Sequence, residues 1–144
     1  MRRKGSALVE AAITFPVLLL LCCGTMDFAR VVYSGIAVAN AARAGVQYGT
    51  FSPGNAGKAS GMQDAALADA ANQGLTGITA SARSFCLCSG SSSEVSCSLA
   101  TACGAATPNG YSEVTVSYTF NTMISYPGIP SSVVLSRTAR MRIQ

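Results

Sequence analysis

Histidine and tryptophan are both absent from this chain of 144 residues. Without histidine, the commonest general base and the commonest metal ligand are gone together. Without tryptophan, and with aromatics at only 7%, a globular part must close a thin core with smaller side chains. Charge is scarce too, at 11% of residues. The formal charge of +4 is concentrated at one end, because Arg2, Arg3 and Lys4 supply three of the ten cations. The remaining seven face six acidic residues. No basic stripe interleaved with aromatics remains, so nucleic acid is excluded as a partner. Paired carboxylates are missing as well: Asp64, Asp69, Glu94 and Glu113 are scattered along the chain and expected to be solvated. No nucleophile–base arrangement stands out, and Ser91-Ser92-Ser93 reads as a linker. The chain is therefore expected not to be an enzyme, and to need no cofactor and no metal.

What the chain does have is a long apolar run. Arg2, Arg3 and Lys4 lead into Gly5-Ser6-Ala7-Leu8-Val9-Glu10, and Ala11 to Met26 follow, closed by Asp27. Ser6 through Met26 is 21 residues, which as a helix spans roughly 32 Å, about one hydrocarbon core. Pro16 is tolerated in such a helix, where it removes one backbone donor and tends to introduce a kink. The cations ahead of the run favour a cytoplasmic N-terminus. In a bacterial host, everything past Asp27 then lies outside the inner membrane. Glu10 is the unusual residue. A carboxylate costs about 2.5–3.5 kcal/mol at mid-helix on insertion scales, less near the interface, so it calls for a partner.

The run is not that of a cleaved secretory signal. It ends in Cys22-Cys23-Gly24-Thr25-Met26, without a small-x-small site. Leu20 and Leu21 before Cys22 also speak against a lipoprotein signal. Instead, the basic leader, Gly5 and a glutamate five residues on resemble the cleavage site of type IV prepilins. With Glu10-Ala11-Ala12, Pro16 to Leu20, Asp27-Phe28-Ala29-Arg30 and Ala41 to Tyr48, the segment resembles the TadE-like family. These are minor pilins or pseudopilins of the Flp/Tad type IV pilus system. The likeness covers about the first 48 residues well and the C-terminal end loosely. The one departure is Ala11, where an aromatic often follows the glutamate.

The resemblance implies cleavage between Gly5 and Ser6 by a prepilin peptidase. It also implies that Glu10 neutralises the new amino terminus of a neighbouring subunit during assembly. The implied partners are the peptidase, other pilins and minor pilins, the inner-membrane assembly platform and membrane lipid. The alternative is a single-pass, membrane-anchored periplasmic envelope protein that does not polymerise, with Glu10 an ordinary interfacial residue.

Past Asp27 the helical pattern persists. Phe28, Val31, Val32, Ile36, Val38 and Ala39 predict a broad apolar face. Asp27 and Arg30 are i, i+3 neighbours able to pair. One continuous helix is expected over about 5–48, ended by Gly45 and Gly49 with Pro53-Gly54 beyond. A loop is expected over 52–61, then a packing helix over about 62–73. Asp64 should sit near that helix's N-terminus, and Gly74 should end it.

Strands follow. Ile78, Ala80 and Ala82 alternate with Thr79, Ser81 and Arg83, continuing to Cys88. A turn over 89–93 leads to a short strand over 94–99 and a loop over 101–110. Residues 113–120 alternate most clearly, 121–132 make an irregular crossing with Pro127 and Pro130, and 133–143 form a final strand. Its Arg137, Arg140 and Arg142 read as a charged, pairing-resistant edge.

The six cysteines fall in two groups. Cys22 and Cys23 lie inside the apolar run. Cys86, Cys88, Cys97 and Cys103 lie in the exported part, where oxidation is favoured. Four cysteines allow three pairings, and the one expected is Cys86–Cys103 with Cys88–Cys97, a small hairpin inside a larger loop. A four-thiolate zinc site is the sharper alternative, disfavoured by the Cys86-x-Cys88 spacing.

The fold class expected is thus α+β and pilin-like. A long N-terminal transmembrane-plus-amphipathic helix is followed by a second short helix and a small antiparallel sheet of three to four strands. Residues 1–5 would be a leader, 6–27 the membrane helix, and 28–144 the extracytoplasmic domain.

Overall fold

The computed structural model describes residues 4–97, 103–104, 106–125 and 128–143, with the side chains of Lys4 and Ser6 excepted. Arg2, Arg3 and Pro127, and the parts of the expected strand over 94–99 and loop over 101–110 that fall on 98–99, 101–102 and 105, lie outside the described residues.

Helix α1 runs from Lys4 to Thr50 as one element of 47 residues, unbroken through Pro16. Its first half is rich in alanine and leucine, which lose little rotamer freedom in a helix. The hydroxyls of Thr14 and Thr25 hydrogen-bond back to the carbonyls of Glu10 and Cys22, each at 2.9 Å, so neither polar group is left unmet. Leu8, Ile13, Phe15 and Leu18 are all more than half exposed. The helix is long and apolar enough to cross a membrane, and its most apolar window buries nothing inside the protein.

In the second half of α1 the expected apolar face divides, with Val38 buried and its bulkier members outside. Phe28, Val32, Tyr33 and Ile36 point outward. The buried stripe is Ala37, Val38, Ala41, Ala42 and Val46, made of small residues at three- and four-residue spacing. Gly45 and Gly49 do not end the helix, which continues to Thr50. They let α3 (Ala59–Asn72) approach. A Cβ on Gly45 would lie 2.7 Å from the Met62 carbonyl oxygen, and one on Gly49 would collide with the Met62 sulfur.

Between these helices, part of the expected loop is a short helix, α2 (Pro53–Ala56). Ser52 caps it, its Oγ accepting the Asn55 N–H at 3.3 Å, with Pro53 pre-set in the first turn. α3 starts three residues earlier than the apolar pattern indicated, so Asp64 sits in the second turn and its first turn has no acid. The end of α3 follows expectation. Gly74 takes φ +77°, Leu75 N–H reaches the Ala70 carbonyl and Gly74 N–H the Ala71 carbonyl, closing a Schellman turn.

The sheet has four antiparallel strands in the order β2-β1-β3-β4: β1 (Ile78–Leu87), β2 (Glu94–Val95), β3 (Asn109–Asn121) and β4 (Ser132–Arg142). β2 is shorter than the alternation suggested. Residues 121–132 are not a crossing. Asn121 pairs with Ser132, so β3 and β4 form one hairpin, and the described residues 122–125 and 128–131 belong to its end loop. One sheet face packs under the helices, with α1 against β3 and β4 and α3 against β1. Val114 and Val116 meet Val38, Ala42, Met62 and Ala66 in a core of modest side chains.

Candidate assembly helix and membrane exit

Glu10 lies on the exposed part of α1, four residues past Ser6. Among the described residues its carboxylate has no hydrogen-bond or ion-pair partner; only its backbone carbonyl is engaged, by Thr14. Gly5 is also on the helix and nothing packs within 4 Å of the position its Cβ would take. The segment that carries the expected processing point therefore stands clear of the rest of the chain.

Asp27 marks the other end of the apolar run, and it is buried at 5% exposure. Arg30 donates to it at 2.7 Å, as the i, i+3 spacing anticipated. A second partner was not legible in the sequence. The backbone N–H of Met123, in the β3–β4 loop, donates to both carboxylate oxygens at 3.2 and 3.0 Å. The Arg30 guanidinium then lies 5.0 Å from the Phe120 ring centroid, a cation–π distance. One acidic side chain thus ties the sheet's end loop to the helix at the point where the apolar run stops. The available signal was weak: Met123 and Ile124 are apolar residues in a segment otherwise read as irregular.

Beside this tie is an apolar groove of about 480 Å³ between α1 and the β3–β4 hairpin. Leu20, Leu21 and Phe28 form its helix wall, and Phe120, Ile129 and Val133 form the other.

At the opposite end of the domain the four outer cysteines form two disulfides, Cys86–Cys97 and Cys88–Cys103. The nested pairing expected above is therefore corrected to an interleaved one. The strand register supplies the reason. Cys86 stands opposite Val95, which brings Cys97 beside Cys86, with Cα atoms 5.2 Å apart. Bonding Cys97 to Cys88 in that way would need the hairpin shifted by two residues. The four sulfurs are bonded to one another rather than held as thiolate ligands. Cys22 and Cys23 remain free on α1.

The outer sheet face also corrects the expectation for Glu113, whereas Asp64 and Glu94 are exposed as expected. Arg83, Glu113 and Arg140 stand directly across β1, β3 and β4. Arg83 Nε donates to Glu113 at 2.7 Å, Arg140 Nη2 at 2.9 Å, and Arg83 Nη1 reaches Glu94 at 2.8 Å. Both guanidiniums lie within 5 Å of the Phe85 ring centroid, at 4.8 and 4.6 Å, and Phe85 stacks on Tyr111. Burial works to raise the Glu113 carboxyl, but hydrogen bonds from Arg83 and Arg140 outweigh it and hold the group below its ordinary value. Arg140 of the terminal edge strand is thus committed to the sheet.

An exposed apolar helix as long as a membrane span, carrying a small disulfide-stapled α+β head on its second half, defines a single-pass-sized α+β protein. Its N-terminal segment is TadE-like: the family model described as TadE-like protein matches residues 5–47. That match covers nearly all of α1 and none of the sheet, and it points to a Tad pilus-associated protein. The looser likeness of the C-terminal end is outside the match. No curated protein and no solved structure matches the chain.

Proposed function

We propose that this chain is a minor pilin or pseudopilin that takes part in assembling or priming a Tad/Flp-type pilus, as a structural protein rather than an enzyme. The observation that carries the reading is the apolar ridge of α1 that continues beyond Asp27. Phe28, Val32 and Ile36 follow one another at four-residue intervals and stay 71%, 46% and 57% exposed. An envelope protein that never polymerises has no use for such a ridge once the helix has left lipid, whereas a subunit packing helix against helix does.

In this reading a prepilin peptidase cuts between Gly5 and Ser6 on the cytoplasmic side, and the head is periplasmic. The subunit waits in the bacterial inner membrane until the assembly platform joins it to other pilins. The unpartnered Glu10 carboxylate then receives the amino terminus of a neighbour, because a carboxylate leaving water is tolerable when paired.

The intact mass of membrane-extracted protein tests this, compared with Gly5→Ala in cells carrying the peptidase. A wild-type chain beginning at Ser6, with the leader retained in the variant, is the expected result. A wild-type chain retaining its first residue would leave only the anchored, non-polymerising envelope protein. Glu10→Ala should be processed normally yet drop out of sheared pilus fractions.

A further inference from the structure

Residues 121–134, from the last residue of β3 into the start of β4 in sequence, contain no charged residue. Met123, Ile124, Ile129 and Val134 are 65%, 47%, 58% and 66% exposed. Exposed apolar side chains gathered on one loop mark a contact surface, and the height of this loop along α1 indicates what it contacts.

A hydrocarbon core of about 30 Å takes about 20 helical residues at 1.5 Å each. Counted from Ala7, the first apolar residue after the leader, that span closes near Met26. Leu20 and Leu21 then lie roughly 8–9 Å inside its outer boundary. Both line the groove, whose other wall is Phe120, Ile129, Pro130 and Val133. The helix wall continues through Phe28 to Val31, so the groove crosses the boundary and opens into the outer leaflet at its Leu20–Leu21 end. The Asp27–Met123 tie keeps the loop at that height.

We infer that the β3–β4 loop is a second membrane foot. It inserts into the outer leaflet beside α1, and a lipid acyl chain fills the groove between them. The groove is continuous with the lipid-exposed surface of the span, which favours lipid over any other occupant. The backbone cost of placing a loop there is limited. Thr122 N–H is met by the Ser131 carbonyl at 2.9 Å and Met123 N–H by Asp27, so the first amides of the loop are satisfied within the protein. A depth of roughly 5–10 Å is that of the headgroup–acyl boundary, where apolar side chains insert while the backbone stays near polar groups.

The inference rests on the single-pass reading of α1, and the test separates the two. The chain has no tryptophan, so each variant carries one reporter. Full-length Ile129→Trp, Met123→Trp, Leu18→Trp and Ser91→Trp proteins are reconstituted at low protein density in phosphatidylcholine vesicles with brominated acyl chains. Leu18→Trp reports the span and Ser91→Trp the far end of the head. The expected result is blue-shifted emission, at least twofold quenched by brominated lipid, from the two loop reporters and Leu18→Trp, with Ser91→Trp quenched by acrylamide only. Red, acrylamide-accessible emission from both loop reporters beside a quenched Leu18→Trp would overturn the foot and leave the anchor. An unquenched Leu18→Trp would overturn both. Loop reporters shielded from lipid and acrylamide alike would assign the groove to a second copy's helix and also overturn the proposal.

Discussion

The carboxylate of Asp27 accepts the backbone N–H of Met123, 96 residues further along the chain. This contact joins the end of the apolar run to the end of the sheet, and removing it has a defined cost. Asp27→Ala leaves a part-buried N–H without an acceptor and frees Arg30. We expect a loss of about 1–3 kcal/mol in stability, and faster amide exchange at Met123 and Thr122 than in the strands. Unchanged exchange at Met123 in the variant would mean that the loop is held by something else.

Gly45, Gly49 and Gly35 sit on one helix and should answer differently to alanine. Nothing lies within 4 Å of a Cβ on Gly35, so Gly35→Ala should gain up to about 1 kcal/mol from helix propensity. At Gly45 the obstacle is the Met62 backbone oxygen, and at Gly49 the Met62 sulfur and the buried Ser112 hydroxyl. Overpacking of that kind costs typically about 1–3 kcal/mol, which exceeds the propensity gain. Thermal unfolding in detergent should therefore order the variants as Gly35→Ala, wild type, then the other two. Gly45→Ala should be the lowest, since backbone cannot swing aside as a thioether can.

The Arg83–Glu113–Arg140 row gives an acid-side dependence. Glu113 is held below its ordinary 4.5 in the folded protein. The unfolded chain therefore binds the extra proton first as pH falls. The row's contribution is complete above the unfolded value and is lost as pH drops through the lower folded one. Glu113→Gln should be less stable at neutral pH and show a flatter decline from about pH 5 to pH 3 in urea midpoints. Parallel declines for the two proteins would show that other carboxylates set the acid limb.

The two disulfides close loops of 11 and 15 residues in sequence separation. Loop entropy alone makes them differ by only about 0.3 kcal/mol, each being worth typically about 2–4 kcal/mol. Cys86 is 5% exposed inside the domain. Replacing Cys86 and Cys97 by serine buries a hydroxyl there, so it should cost more than replacing Cys88 and Cys103. Non-reducing peptide maps of the wild type should recover Cys86 with Cys97 and Cys88 with Cys103. Recovery of Cys86 with Cys103 would restore the nested pairing.

The elements set by repeating pattern were legible in the sequence. The apolar run followed by small residues foretold α1 to within a few residues, and strict alternation foretold β1, β3 and β4. What was not legible depends on position in space. Phe28, Val32 and Ile36 were read with Val38 as one broad apolar face, because periodicity reports a face without saying what covers it. The stripe that packs is instead the slender one, chosen by how closely α3 can approach. α2 escaped notice because four residues carry no period. The disulfide pairing followed from a strand register that spacing alone does not set. Of the candidate site, Glu10 stood out as a carboxylate in an apolar run, Gly5 through its resemblance to a prepilin cleavage site and Asp27 as the close of the run, whereas Met123 takes part through its backbone and only the apolar pair Met123-Ile124 hinted at it.

Both disulfides straddle the exposed serine run Ser91-Ser92-Ser93. Exposed tips of small polar residues are where proteases cut first. A single cut there separates Cys86 and Cys88 from Cys97 and Cys103 without releasing either piece, since two covalent bonds still cross the nick. The head can thus be cut at this exposed serine loop and still stay attached to the helix that carries it.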